Sequence, residues 1–160
     1  MSDREKKKEE ANITYRRAVN SDLDNIKYFV DYWLAGRAKN AGVENAGNDY
    51  FVTSGQHKGY LKGSIILLAL INDKIVGWAV KGTNNVLIHL LIAADTRGMG
   101  IGSAMLKQLN PDIIRSKSDQ QTGDPASFYE KHGYALFSST VSKIGKKSNI
   151  DLMVKNRTKK

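Results

Sequence analysis

The order of apolar patterns along the chain predicts a single α/β domain built on a mixed sheet. Three observations carry that expectation. Two apolar runs, Ser64–Ile71 and Lys74–Lys81, are separated only by Asn72-Asp73, the signature of a tight antiparallel hairpin. A third run, Val86–Ala94, is too continuously apolar for a strand with one solvent face. It leads into the glycine turn Arg97-Gly98-Met99-Gly100-Ile101-Gly102 and then an amphipathic stretch, Ser103–Leu109, which reads as strand, turn and helix.

The remaining elements follow in order. Residues 1–10 hold four basic and four acidic side chains and read as a disordered charged lead. Ile13–Val19 is a short strand. Ser21 and Asp24 form a helix-starting pair, and Leu23, Ile26, Val30, Trp33, Leu34 and Arg37 recur at helical spacing, so Asp22–Ala38 is an amphipathic helix. Residues 39–63 show no clear period and read as a long loop with room for a short helix. Gly82–Asn85 turns the chain between the second and third apolar runs. Asn110-Pro111 stops the helix after the glycine turn, and Asp112–Ser118 is a strand of mixed character. Asp124-Pro125 caps a further helix that runs to His132, where Gly133 ends it in the left-handed conformation. Ala135–Ser142 and Ile150–Val154 are closing strands around a basic turn. The domain is expected over 11–154, with a basic tail at 155–160.

Composition narrows the function classes. The 160 residues suffice for one domain with a real core. With no cysteine, disulfides, thiolate metal sites and a cysteine nucleophile are excluded. No apolar run approaches the roughly 18 residues of a membrane helix. Met1–Glu10 lacks the apolar core of a secretory signal, so a cytoplasmic location is expected. The net charge of +9 lies partly in the tail and mostly in the body. It suits an anionic cofactor, an acidic protein or a nucleic acid.

The glycine turn is the most informative segment. Glycines let the backbone approach a phosphate closely, and the first N–H groups of the following helix point at it. A dinucleotide-binding turn would follow the first strand, with an acidic residue about 20 positions on. Here the turn follows the fourth strand, and no Gly-Lys-Ser/Thr ending exists. The spacing Arg97, Gly100, Gly102 resembles the cofactor turn of the GNAT superfamily of N-acetyltransferases. Phe128-Tyr129-Glu130-Lys131-His132-Gly133-Tyr134 is similar to a second segment of that family. Ala94 stands where the family often has proline, and Thr122 where it often has asparagine.

The resemblance implies a largely antiparallel sheet of six to seven strands flanked by about four helices, and acetyl-CoA as co-substrate without a metal. The pyrophosphate would rest on the backbone of Arg97, Gly98, Met99, Gly100, Ile101, Gly102 and Ser103. The pantetheine arm would pair with backbone groups of Leu90, Leu91 and Ile92, beside which the family's sheet splays. An attacking amine needs a proton acceptor, the oxyanion needs a donor, for which N–H groups near Leu91 and Ile92 are candidates, and the departing thiolate needs a proton. Tyr129 matches the family position that supplies the last, and a phenol with a reference pKa of about 10 is protonated at neutral pH. His89, on the central strand, has the intrinsic pKa of a base. Asp119 is placed to orient a cationic acceptor, and His57 is a further candidate.

The expected activity is acetyl transfer to a primary amine by direct attack on the thioester. The acceptor would be a small molecule or a protein. Arg115, Lys117 and Asp119 give the fifth strand a charged face, and with Lys58, Lys62, Lys143, Lys146 and Lys147 they motivate two alternatives. One is an enzyme modifying a base or an aminoacyl-tRNA. The other is a non-catalytic CoA-binding module. The closing strands also offer an edge for a homodimer.

Overall fold

The computed structural model describes residues 12–40, 52–96, 98–119, 126–141 and 148–155. Seven strands form one sheet in the order β1-β2-β3-β4-β5-β7-β6. They are β1 (Ile13–Arg17), β2 (Ile65–Ile71), β3 (Lys74–Lys81), β4 (Val86–Ile92), β5 (Ile113–Asp119), β6 (Tyr134–Val141) and β7 (Ser148–Lys155). Four α-helices accompany them: α1 (Leu23–Asn40), α2 (Ser54–Gly63), α3 (Ile101–Leu109) and α4 (Ala126–Lys131). Every strand pair is antiparallel except β4 with β5.

The β2–β3 hairpin turns as expected. Asn72 and Asp73 both have positive φ, 51° and 64°, which is the conformation whose twist suits a two-residue hairpin. Asn85, at φ 63°, makes the corresponding left-handed step between β3 and β4. Alternation along β3 then sorts the helices. A Cβ on Gly77 would point at the Met105 sulfur of α3, whereas its neighbour Trp78 meets the ring of His57 in α2 at 5.7 Å. Helix α3 therefore packs on one face and α2 on the other. Helix α1 joins α2, with Lys27 Nζ donating to Ser54 Oγ at 2.6 Å. Leu68, Ala69, Val80, Met105 and Met153 are fully buried between these layers.

Two helix starts differ from the sequence expectation. Helix α1 follows a short 3-10 turn, Asn20–Asp22, and its cap is Asp22 rather than the Ser21–Asp24 pair. Asp22 Oδ2 accepts the Val19 N–H at 2.8 Å, and the same carboxylate takes two guanidinium N–H groups of Arg16 at 2.8 Å each. This fork ties the end of β1 to the helix. The second difference lies within 39–63, where residues 54–63 form a full ten-residue helix. Thr53 Oγ1 accepts from Gln56 N at 3.1 Å, and Gln56 Oε1 accepts from Thr53 N at 2.8 Å, a reciprocal capping box. Residues 41–51 lie outside the described residues, as do the lead 1–10, the proposed cap Asp124-Pro125, and Lys143, Lys146 and Lys147.

Candidate active site

The site is built from an interruption in the sheet. Strands β4 and β5 are paired only at Val86↔Ile113 and Leu87↔Ile114. Beyond Ile114, β5 stays with β7 over its whole length to Asp119↔Ser148. The two parallel strands thus part, leaving a gap beside Ile88–Ile92. A bulge accompanies the parting: Lys81 faces Leu87 and Val80 faces His89, so Ile88 is the extra residue.

Register decides which backbone groups face the gap. Ala93 N–H donates to the Val76 carbonyl at 2.8 Å, which sets the hydrogen-bonded parity of the β3–β4 ladder. Leu91, opposite Trp78, has the same parity and directs its N–H and C=O towards β3. Leu90 and Ile92 have the other parity, so their amide groups face the open side. Of the three residues expected along a pantetheine arm, these two direct their amides away from β3, and Leu91 contributes its side chain to the core, 5% exposed.

The glycine turn stands at the end of this gap. Gly98 and Gly100 have φ of 88° and 77°, values that cost a residue with a Cβ about 1–2 kcal/mol. A Cβ on either would meet nothing within 4 Å, so the requirement is the backbone bend and not crowding. Gly100 caps α3 without a side-chain hydrogen bond. The first intrahelical bond is Ala104 N–H to the Gly100 carbonyl, which leaves the amides of Ile101, Gly102 and Ser103 as the helix's N-terminal donors. Their direction and the helix dipole suit an anion. Ile101 is 2% exposed and serves through its backbone, while Met99 is half-buried against the core. Arg97 lies outside the described residues, as does Thr122.

Helix α4 closes the far side of the turn. A Cβ on Gly102 would stand 3.3 Å from Phe128 Cζ, so the phenyl ring lies directly over this first helical turn. His132 Nδ1 lies 2.8 Å from the Phe128 carbonyl, which fixes that nitrogen as a donor, and His132 Nε2 lies 3.1 Å from Ser103 Oγ. Tyr129, 6% exposed, sits between these contacts on the same helix. Gly133 ends the helix at φ 91°, as its sequence position suggests. The Tyr134 hydroxyl donates to the Pro111 carbonyl, and burial pushes its pKa up.

His89 points to the opposite face. Its ring stacks on Trp78, with centroids 4.9 Å apart and planes at 24°, and its Nε2 lies 3.1 Å from Tyr60 Oη of α2. His57 is 1% exposed against Trp78 and belongs to the core of this face rather than to its surface. Asp119 is the last residue of β5. Because β4 and β5 run parallel, it lies at the same end of the sheet as the glycine turn, on the far wall of the gap. Lys58, Lys62 and Arg115 are exposed. The residue that sequence reasoning passed over is Tyr60; the Thr53-Ser54-Gly55-Gln56 capping box was the available signal for its helix.

Residues 62–136, from the last turn of α2 into β6, match the family model described as Acetyltransferase (GNAT) domain. Over that segment, just under half of the chain, the sequence is similar to a GNAT acetyltransferase domain. The parting of β4 from β5, the bulge and the glycine turn all fall inside the matched segment. No functionally curated protein matches. Among solved structures, a GNAT-family acetyltransferase from Streptococcus pneumoniae is similar at TM-score 0.62 and 18% identity, covering 89% of this chain and 97% of that one. The PaiA N-acetyltransferase from Thermoplasma acidophilum, solved with coenzyme A, is similar at TM-score 0.65 and 14% identity, covering 91% and 99%. A ribosomal-protein-alanine N-acetyltransferase from Brucella melitensis gives 0.61 and 18%, covering 89% and 99%. At these identities the likenesses bear on the GNAT fold.

Proposed function

We propose that this chain is an acetyl-CoA-dependent N-acetyltransferase that moves an acetyl group to a primary amine by direct attack on the thioester. The observation that carries the reading is the parting of β4 from β5 directly beside a glycine turn that opens a helix. An extended, amide-bearing arm ending in a pyrophosphate fits that arrangement. Leu90 and Ile92 offer strand-like pairing to the arm, and the amides of Gly98–Ser103 offer donors to the phosphates. The Thermoplasma relative's coenzyme A complex supports the same choice of ligand.

Acetyl-CoA, when bound, supplies an activated acyl group; the chain's own residues do the rest. The backbone N–H of Ile92 faces the gap and would donate to the thioester oxygen as negative charge develops on it. The Tyr129 hydroxyl would protonate the departing sulfur. Asp119, at the far wall, would steer a cationic acceptor. The cytoplasm is the expected setting.

Calorimetric titration with acetyl-CoA, using NADH as control, tests the cofactor assignment: micromolar binding supports it, and no binding at millimolar ligand removes it. Tyr129→Phe then tests the chemistry. Thiol release with amine acceptors is expected to fall about 10²-fold with cofactor affinity intact. Unchanged turnover would show that Tyr129 only packs.

A further inference from the structure

Tyr60 and His89 are both half-buried on the α2 side of the sheet, away from the glycine turn. The His89 ring is held between two aromatics: Trp78 stacks on it at 4.9 Å, and Tyr60 meets it edge-on at 5.6 Å. Its Nε2 is 3.1 Å from the Tyr60 hydroxyl. Burial raises the Tyr60 pKa, with the Arg115 charge acting in the opposite sense. The phenol therefore stays protonated at neutral pH and can donate to Nε2 whenever that nitrogen carries no proton. Arg115 belongs to β5 and His89 to β4, just past the bulge at Ile88. A phenol bonded to one and sensing the charge of the other stands where the two strands part. It lies on the α2 face of the sheet, opposite the face on which α3 packs.

We propose that Tyr60 is a catalytic residue that relays the acceptor amine's proton to His89. The proposal rests on the acetyltransferase reading above. As the amine nitrogen bonds to the acetyl carbon and the carbon–sulfur bond breaks, the amine's N–H proton passes to the Tyr60 oxygen. The phenol's own proton passes at the same time to His89 Nε2, giving an imidazolium. The sulfur leaves with the proton of Tyr129, and solvent then takes the proton from His89 and restores that of Tyr129. The relay explains how a histidine packed against Trp78 serves an amine it need not touch.

The test uses Tyr60→Phe and His89→Gln in the full chain, with glycinamide as probe amine and water as the slower alternative nucleophile. The chain has no cysteine, so a thiol reagent reads only released CoA. For Tyr60→Phe, kcat is expected to fall about 10²-fold with either nucleophile. The KM for glycinamide and the calorimetric Kd for acetyl-CoA should stay within about twofold. His89→Gln should fall alike, and the double variant should be no slower than the slower single one. Nitrogen NMR of the His89 ring supplies a readout that packing alone would not move: Nε2 should be unprotonated in the parent, and its shift should change in Tyr60→Phe. An unchanged kcat, or a loss confined to KM, overturns the relay. Thiol release absent with both nucleophiles despite acetyl-CoA binding also overturns it while leaving the cofactor site in place. Failure to bind acetyl-CoA would instead remove the acetyltransferase reading itself.

Discussion

Gly77→Ala tests how closely α3 is seated on the sheet. An added Cβ would stand 2.8 Å from Met105 Sδ, 3.1 Å from Ala69 Cβ and 3.1 Å from Ile92 Cδ1. All three are closer than ordinary carbon or sulfur contacts, and Met105 and Ala69 are both fully buried. The methionine and the Ile92 terminal methyl can each rotate part of the way, but Ala69 Cβ is fixed to β2. Relief requires α3 to lift or the sheet to bend. Overpacking of this kind costs about 1–3 kcal/mol, and the Ala69 contact, which no rotation relieves, keeps it near 2. For a chain of this size that corresponds to a drop in Tm of about 4–8 °C, or a urea midpoint lower by about 1 M. Met105→Ala should remove the shortest contact, so Gly77→Ala introduced in that background should cost at least about 1 kcal/mol less than it does alone. Because Ile92 borders the gap, acetyl-CoA affinity should fall together with stability. A variant as stable as the parent, within about 0.5 kcal/mol, would refute the close seating of α3 and with it the argument that β3, α3 and Ile92 form one rigid wall.

Two further substitutions separate backbone shape from crowding at the turn. Gly100→Ala should cost about 1–2 kcal/mol because of its positive φ, and should weaken acetyl-CoA binding in calorimetry. Gly102→Ala lies in the helix, where the gain in helix propensity of about 1 kcal/mol offsets a slight displacement of Phe128, so its melting temperature should barely move. The Arg16–Asp22 fork gives a pH dependence. The hydrogen bonds from Arg16, and then the one from Val19, hold the Asp22 pKa below its ordinary value against the opposing effect of burial. A depressed carboxyl contributes stability that is present above the unfolded value of about 3.9 and is lost as pH falls through the folded one. Asp22→Asn keeps an acceptor for Val19 but loses the charge. With the Arg16 side chain 43% exposed, solvent screening limits the cost to about 1 kcal/mol at pH 7. The melting-temperature gap between parent and variant should shrink by pH 3; a gap that stays constant would refute the linkage.

Most of the fold is legible in the sequence because local chemistry and tertiary packing agree there. Asn72-Asp73, Asn110 and Gly133 all adopt the left-handed conformations their residue types favour. The third apolar run is less buried than its composition suggests: only Leu87 and Leu91 of β4 are fully buried, because the strand borders the gap, and it stops at Ile92 before a 3-10 turn, Ala94–Thr96. The failures have the same physical origin in reverse. Helix α2 has glycines at 55, 59 and 63, which blur its period and lower its intrinsic helicity, so only its capping box marks it. The start of α1 is set by Asp22 because Arg16, six residues earlier on β1, competes for that carboxylate, and no local pattern encodes such a pairing.

The site divides along a similar line. Its phosphate end is written in residue types, since only glycine satisfies φ of 88° and 77° without strain. Its acyl end is written in pairing, since whether Leu90 or Leu91 offers free amides depends on the β3–β4 parity and on a one-residue bulge at Ile88. A one-residue slip of His89–Ile92 against β3 would exchange the two and would also turn His89 away from Tyr60. The β3–β4 register therefore sets both halves of the proposed chemistry at once: strand edge towards the gap, imidazole towards α2. Deleting Ile88 is the sharpest consequence of that argument. The straightened β4 should still hold the hairpin and bind the phosphates. Lys81↔Leu87 and Val80↔His89 both persist without Ile88, so the His89 ring nitrogens should still report the Tyr60 hydroxyl. Loss of the bend should instead narrow the parting of β4 from β5 and lower thiol release to both glycinamide and water. Retained turnover after the deletion would mean that the bulge is incidental to the parting of β4 from β5.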